Sequence, residues 1–264
     1  MDAMEAANII PALKAIVKQA HEEILSVYQE GEGLEVDFKA DDSPLTAADR
    51  AANAVICAGL EALPELYPIL SEENRSIAFE ERKNYPFYWL VDPLDGTKEF
   101  IRRNGEFTVN IALIHEGMPV LGIVGVPVSG EIFWAKKGEG AYRCDASGQE
   151  QRIEAAAFRM ADPMLRVVAS RSHLNEATAA YIAQLQEPQL VSRGSSLKLL
   201  ALATGEAHLY PRLAPTMEWD TGAAQIILEE AGGKLCRYAD DQPLVYNKAD
   251  LTNPSFIAYA RVIA

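Results

Sequence analysis

The segment Asp92-Pro93-Leu94-Asp95-Gly96-Thr97 holds the side chains of this chain best suited to chemistry. The apolar run at residues 88–91 just ahead of it reads as a buried strand. Two carboxylates three positions apart, stiffened by a proline and followed by glycine and threonine, can converge on one point. The Leu94 carbonyl between them can join as a third oxygen. Oxygen-only donor sets suit hard cations such as Mg²⁺ or Mn²⁺.

Three further groups of acids stand at the ends of expected elements. Ser71-Glu72-Glu73 follows a short apolar run at 67–70. Asp49 falls in the first turn of a helix expected over 46–63, with Thr46 as its N-cap. Asp220, in Glu218-Trp219-Asp220-Thr221-Gly222, is expected to open another helix. A helix start favours a carboxylate and offers backbone N–H groups to a phosphate. An acid after a strand is ordinarily just solvated. The fixed spacing of Asp92 and Asp95 behind a buried strand sets that pair apart.

The elements that position these acids follow from periodicity. Apolar residues Ile9, Leu13, Ile16, Val17, Ala20 and Ile24 recur at the helix period and predict a helix over 6–28, with Pro11 marking its first turn or a kink. Strands are expected at 67–70 and 88–91, then as a meander at 107–114, 120–126 and 131–134, and again at 165–169. Beyond that, helices at 176–185, 196–203 and 219–231 alternate with strands at 190–191, 207–210, 233–236 and 255–259. The change near residue 155 divides the chain into a lobe over 1–155 and a lobe over 156–264, sharing a cleft rather than standing apart.

The bulk numbers exclude several classes. A chain of 264 residues, 49% hydrophobic and 23% charged, is long enough for a large soluble core. A net charge of −14 argues against a nucleic-acid polymer as partner. A small phosphorylated ligand needs only a local reversal of sign, which divalent cations on carboxylates provide. No apolar run approaches the ~20 residues of a membrane span. The start Met1-Asp2-Ala3-Met4-Glu5 lacks the basic and apolar blocks of a secretory signal. Cys57, Cys144 and Cys236 are scattered and read as reduced thiols. A cytoplasmic protein is expected. None of His21, His115, His173 or His208 shows metal-ligand spacing, and Trp89 and Trp219 are expected to brace the acidic motifs.

Asp92-Pro93-Leu94-Asp95-Gly96-Thr97 resembles the signature of the inositol monophosphatase superfamily of Mg²⁺-dependent, lithium-sensitive phosphatases. Glu72 matches that family's upstream metal-binding glutamate, and Trp219-Asp220 its downstream motif. Asp42-Ser43-Pro44-Leu45-Thr46-Ala47-Ala48-Asp49 matches its N-terminal motif, with Lys39 just ahead. The motifs run in family order from residue 39 to residue 222. Thr97-Lys98-Glu99-Phe100 resembles the bacterial 3'(2'),5'-bisphosphate nucleotidase branch, where inositol phosphatases usually carry an asparagine at the Glu99 position. Ser170-Arg171-Ser172-His173, Gly194-Ser195-Ser196-Leu197-Lys198 and Tyr210-Pro211-Arg212 look like the same branch. Gly222-Ala223-Ala224 departs from the usual two alanines before the glycine, which bears on how closely that helix start approaches a substrate.

The resemblance implies an α+β fold, a layered α/β/α/β/α sandwich of the inositol monophosphatase and fructose-1,6-bisphosphatase type. It implies two or three Mg²⁺ ions, with Mn²⁺ as an alternative. Glu72, Asp92 and the Leu94 carbonyl would hold the first, and Asp92, Asp95 and Asp220 the second. Thr97 paired with Asp49 would orient or deprotonate a metal-activated water, with Glu72 also counted as catalytic. Gly96 and Thr97 would hold phosphate oxygens through their N–H groups. Glu72, Leu94, Asp95 and Asp220 would border the substrate, while Lys39, Arg171, Lys198 and Arg212 would meet its remainder.

The implied reaction converts adenosine 3',5'-bisphosphate to AMP and phosphate, clearing a by-product of sulfate activation. The enzymatic alternative is inositol monophosphatase or fructose-1,6-bisphosphatase activity. The non-enzymatic alternative is a metal- or nucleotide-binding sensor. A homodimer and peripheral attachment to the cytoplasmic face of the inner membrane enter as alternatives among relatives.

Overall fold

The structure, a computed structural model, describes residues 9–29, 36–38, 44–74, 76–169 and 175–264. Lys39, Asp42 and the segment 170–173, which includes Arg171 and His173, lie outside the described residues, as do the first residues of the expected N-terminal helix.

A seven-stranded sheet forms the centre. Its strands run in the order Ile69–Ser71, Phe87–Asp95, Thr108–His115, Met118–Val126, Glu131–Lys136, Gly140–Cys144 and Glu150–Ile153. The first pair is parallel and the rest are antiparallel. The central strands are continuous apolar runs rather than alternating ones because both faces are covered. Trp89, Val91, Ile111, Leu113 and Ile123 pack with the helices Ile9–Gln29 and Ala47–Glu61. Leu90, Ala112, Ile114, Val124 and Ala135 pack on the opposite face, against the helix Gly222–Glu230.

Two glycines of one strand set the layer spacing. A Cβ on Gly122 would stand 2.4 Å from the Ala223 carbonyl, and one on Gly125 would stand 2.2 Å from His21 Nε2. Only a residue without a side chain admits backbone and ring this closely.

The second sheet has five strands in the order Gln189–Ser192, Arg166–Ala169, Leu209–Arg212, Phe256–Tyr259 and Lys234–Arg237. Arg166–Ala169 connects to its parallel neighbour on one side through the helix Glu176–Ile182. The chain then returns through the helix Leu197–Ala203 to the parallel strand on the other side. Right-handed crossovers in opposite directions put these helices on opposite faces. Leu197–Ala203 joins Gly222–Glu230 between the sheets. The layers are therefore helices, sheet, helices, sheet, helix, the α/β/α/β/α order expected.

The structure corrects several expected boundaries. Strands Gly140–Cys144 and Glu150–Ile153 had no expected counterpart; the first is short and mixed in composition, and the second is exposed and polar at Glu150, Gln151 and Arg152, so alternation is weak there. The helix expected over 219–231 is a 3₁₀ turn, Glu218–Asp220, followed by the helix Gly222–Glu230, so Asp220 precedes that helix rather than opening it. Asp92 and Asp95 do not follow their strand but belong to its last positions.

Candidate active site

The strand Phe87–Asp95 carries the acids by means of a bulge. Asp92 faces Asn110 and Asp95 faces Thr108, so Pro93 and Leu94 together oppose a single residue, Val109. In an unbroken strand, positions three apart point to opposite faces. The extra residue cancels that alternation and turns both carboxylates the same way. Proline suits the spot because it has no N–H to withhold from the ladder. The freed Leu94 N–H donates to Asp92 Oδ1 at 3.0 Å.

Gly96 follows at φ 94, and a Cβ there would meet the Glu106 carbonyl at 3.2 Å and Ser195 Cβ at 3.3 Å. It turns the chain into the short helix Thr97–Ile101. Thr97 Oγ1 lies 3.2 Å from Asp49 Oδ1 and 3.3 Å from the Leu94 carbonyl, both acceptors for its one proton. Asp49 is buried at the third position of the helix Ala47–Glu61. Its Oδ2 accepts both the Thr46 N–H, at 2.8 Å, and the Thr46 hydroxyl, at 2.6 Å. Thr46 thus caps the helix and fixes the carboxylate whose other oxygen meets Thr97.

Glu72 is placed by extension of the parallel strand pair: its N–H donates to the Val91 carbonyl at 3.1 Å, next to Asp92. The 3₁₀ turn holds Asp220 from the other lobe, with the Met217 N–H donating to Asp220 Oδ2 at 2.9 Å. Burial raises the Asp92 carboxyl well above the usual carboxylate range, and the charges of Glu72, Asp95 and Asp220 raise it further. Asp220 is pushed up to about 8, first by burial and then by Asp95 and Glu72, with Arg212 pulling the other way.

Among the described residues no three acids are already drawn into a ready-made coordination shell. The donor set nevertheless fits a hard divalent cation. Glu72, Asp92, Asp95 and Asp220 repel one another in a buried place, and all offer oxygen.

A cavity of about 130 Å³ opens beside this cluster, lined by Asp95, Gly96, Glu99, Lys198, Arg212 and Asp220 among others. Lys198 Nζ donates to the Ser195 carbonyl at 3.2 Å. Arg212 Nη2 donates to the Pro215 carbonyl at 3.1 Å, while its buried Nε has no protein partner. A larger hollow of about 360 Å³, bordered by Tyr181, Tyr238 and Tyr259, contains none of the expected site residues.

The structure also ties to the site residues to which sequence reasoning gave no role, Ser195 and Ser196 among them. Ser195 Oγ donates to Asp95 Oδ2 at 2.7 Å, and Ser196 Oγ lies 2.9 Å from the same oxygen and 3.1 Å from the Asp220 carbonyl. Thr108 Oγ1 is 2.6 Å from Ser195 Oγ, and Asn110 Nδ2 is 3.4 Å from Asp95 Oδ2. Polar Thr108 and Asn110 in an otherwise apolar buried strand were the available signal. Gly222 has a packing reason that the sequence did not show. Its vacant side faces the sheet, where a Cβ would meet Leu90 Cδ2 at 3.0 Å and Ala112 Cβ at 3.4 Å. It sets how closely the helix packs on the sheet.

The described histidines are structural. His21 is buried over Gly125, His115 stacks on Phe87 at 4.0 Å, and His208 Nδ1 accepts the Arg166 N–H at 3.0 Å. Trp89 is fully buried on the acid-bearing strand itself, and Trp219 packs on the core of the opposite face.

The model of the inositol monophosphatase family matches residues 5–263, and the chain belongs to that family. Within it, the chain is 48% identical over 217 residues to the 3'(2'),5'-bisphosphate nucleotidase CysQ of Salmonella typhimurium, covering 82% of this chain and 85% of the relative. It is 45% identical over 242 residues to the protein of the same name from Escherichia coli K12, covering 91% and 95%. Among solved structures it is similar to CysQ from Bacteroides thetaiotaomicron, at 42% identity and a TM-score of 0.83, covering 96% of this chain and 99% of that one. The inositol monophosphatase from Anabaena, at 24% identity and a TM-score of 0.73 over 98% and 92% of the chains, shares the fold.

Proposed function

We infer that this protein is a 3'(2'),5'-bisphosphate nucleotidase, a phosphoric monoester hydrolase that converts adenosine 3',5'-bisphosphate to AMP and phosphate. The observation that carries this reading is one cavity with an acidic wall, Asp95 and Asp220, and a basic wall, Lys198 and Arg212. A bisphosphate has a use for both. The 45–48% identity to nucleotidases over most of the chain supports the same substrate.

In this reading Glu72, Asp92, the Leu94 carbonyl, Asp95 and Asp220 hold Mg²⁺, as two or three ions, with Mn²⁺ as a substitute. The bound cation supplies Lewis acidity, drawing charge from the phosphoryl oxygens and lowering the pKa of water. Everything else falls to the protein. The Thr97 hydroxyl donates to Asp49 Oδ1, which leaves its lone pairs to accept a proton from the attacking water and align it. Asp49, held by Thr46, takes up the positive charge of that proton. The Gly96 and Thr97 N–H groups face the phosphoryl oxygens. The water oxygen bonds to phosphorus as its proton passes to Thr97 and the Thr97 hydroxyl proton to Asp49, the bond from phosphorus to the 3'-oxygen breaks, and the leaving oxygen takes a proton from solvent, balancing the one held by Asp49. Lys198 and Arg212, with Lys39 and Arg171, meet the 5'-phosphate and nucleoside. The two lobes, 1–155 and 156–264, close on the substrate from either side. The reading keeps the cytoplasm, or the cytoplasmic face of the inner membrane, as the place of the reaction. Among the described residues no helix is long and apolar enough to cross a membrane.

A phosphate-release assay with Mg²⁺ over adenosine 3',5'-bisphosphate, its sulfonucleotide analogue and inositol 1-phosphate tests the assignment. The bisphosphate is expected to exceed inositol 1-phosphate in kcat/KM by at least ~10-fold, since one retained charge-assisted contact is worth roughly 1.5–3 kcal/mol. Outright preference for inositol 1-phosphate overturns the nucleotidase reading. No hydrolysis of any phosphate, with metal bound, points instead to a binding protein.

A further inference from the structure

Next to the acid cluster lies a second set of buried charges that none of these roles uses. Glu218, two residues before Asp220, has no exposed surface. Its Oε2 accepts the Asn247 N–H at 2.7 Å and its Oε1 the Lys248 N–H at 3.1 Å; the Lys248 ammonium also closes on Oε1. The loop so gripped continues to Arg82, which is 3% exposed. Arg82 Nη1 donates to Asn247 Oδ1 at 2.8 Å and Nη2 to the Ala249 carbonyl at 3.0 Å, while Asn247 Nδ2 donates back to the Arg82 carbonyl at 2.7 Å. Asn247 sits at φ 66, a left-handed conformation that asparagine tolerates better than most residues.

These contacts join three stretches far apart in sequence. Arg82 ends the short helix Phe79–Arg82, in the connection between the strand that stops at Ser71, next to Glu72, and the acid-bearing strand Phe87–Asp95. Glu218 begins the 3₁₀ turn that ends at Asp220. The loop at 247–249 ties one to the other. A turn of three residues has little internal freedom, so a displacement of Glu218 passes to Asp220. Mg²⁺ demands near-ideal geometry at about 2.0–2.1 Å, which makes the spacing of its ligands costly to disturb.

We propose that Glu218, through Asn247 and Arg82, is a positioning residue that fixes the distance between Asp220 and the Glu72 side of the site, and so sets the affinity for the divalent cation. This rests on the metal reading above. Glu218 itself is no ligand in it: the bonds its carboxylate makes in the structure all run to residues 247 and 248.

The test reads metal binding directly, by Mn²⁺ paramagnetic resonance on the full chain, beside turnover and thermal unfolding. Partners that orient metal ligands typically contribute 10–100-fold in affinity. Glu218→Gln faces one amide N–H with a backbone N–H. It should weaken Mn²⁺ binding about tenfold and raise the Mg²⁺ concentration for half-maximal turnover by the same factor. KM for the bisphosphate at saturating Mg²⁺ should stay within about twofold. Asn247→Gly keeps the left-handed backbone and the N–H to Glu218 but loses both side-chain bonds to Arg82. It should shift Mn²⁺ affinity the same way by a smaller factor, and it carries the test if Glu218→Gln does not fold. Unchanged Mn²⁺ affinity with a lowered Tm in the folded variants would make the cluster structural only and overturn the proposal. A wild-type chain that binds no Mn²⁺ would instead remove the metal reading itself.

Discussion

Two buried clusters of charge, two residues apart at Glu218 and Asp220, solve the same physical problem in opposite ways. Burial raises the Glu218 carboxyl, but Lys248 and the Asn247 and Lys248 N–H groups pull it back. At Asp92 and Asp220 burial raises the carboxyls and the neighbouring acids raise them further. One cluster supplies its own counter-charge and is complete. The other concentrates like charge where solvent is scarce, which costs stability unless a cation is supplied. A third buried ionisable group shows the remaining solution. His21, 6% exposed, is lowered to about 4, first by burial and then by Lys18, so it simply gives up its charge.

The contrast breaks most sharply at Asp95. Asp95→Asn keeps the volume and an acceptor for Ser195 but removes a ligand charge. Phosphate release should fall to background while circular dichroism stays native. Near-normal turnover at saturating Mg²⁺ would mean that the crowded acids are not there for a cation.

Next in size is the water-directing pair. Thr97→Ala and Asp49→Asn should each lower kcat by roughly 10²–10⁴-fold with little change in KM. Because the two share one hydrogen bond, the double variant should cost far less than the product of the singles. Independent, multiplicative losses in a double-mutant cycle would separate them.

His21 gives a pH signature. Its pKa in the folded chain lies below its ordinary value, so the unfolded chain binds the extra proton first as pH falls. The stability it contributes is present above about 6.5 and is lost progressively as pH falls toward about 4. At 1.36 kcal/mol per unit the loss approaches about 3 kcal/mol. His21→Met, which cannot titrate, should flatten the fall in Tm over that window; an equally steep fall assigns the acid sensitivity elsewhere.

The smallest effect sharpens the comparison itself. In chelator at pH 8, Asp92→Asn should raise Tm, since it removes a buried charge facing like charges, whereas Glu218→Gln should lower it. Each change is expected to be about 1–3 kcal/mol. The Asp92→Asn gain should grow with pH, because the raised carboxyl of the folded chain must give up a proton that the unfolded chain has already lost. Two shifts of the same sign would show that the clusters do not differ as argued.

The central strands were legible because burial on both faces writes itself as uninterrupted apolar residues, from Phe87 to Val91 and from Ile111 to Ile114. The edge strands were not: Arg143, Glu150, Gln151 and Arg152 face solvent and carry no such mark. The acids at the site could be found because their spacing is local, as with Asp92 and Asp95, or because capping marks their place, as with Thr46 and Asp49. Ser195, Ser196 and Glu218 stand inside motifs the sequence displays, but their roles escape it for a physical reason. Their meaning lies in partners about a hundred residues away for the serines and about thirty for Glu218, and one sequence read alone does not carry those distances. Gly222 illustrates the converse: a departure visible in the sequence whose cause, contact with Leu90 and Ala112, is visible only in three dimensions.

The bulge that carries the two aspartates also has a genetic reading. The pairing is regular up to Asp92 with Asn110 and resumes at Asp95 with Thr108, so one surplus residue is absorbed without disturbing the ladder on either side. A single inserted codon in a plain antiparallel pair would suffice to create it. That one event releases a backbone carbonyl between two carboxylates and leaves the other residue pairs in place. A scaffold able to absorb such an insertion can turn two carboxylates of one strand to the same side in one mutational step, and a single deletion there would part them while the sheet survives.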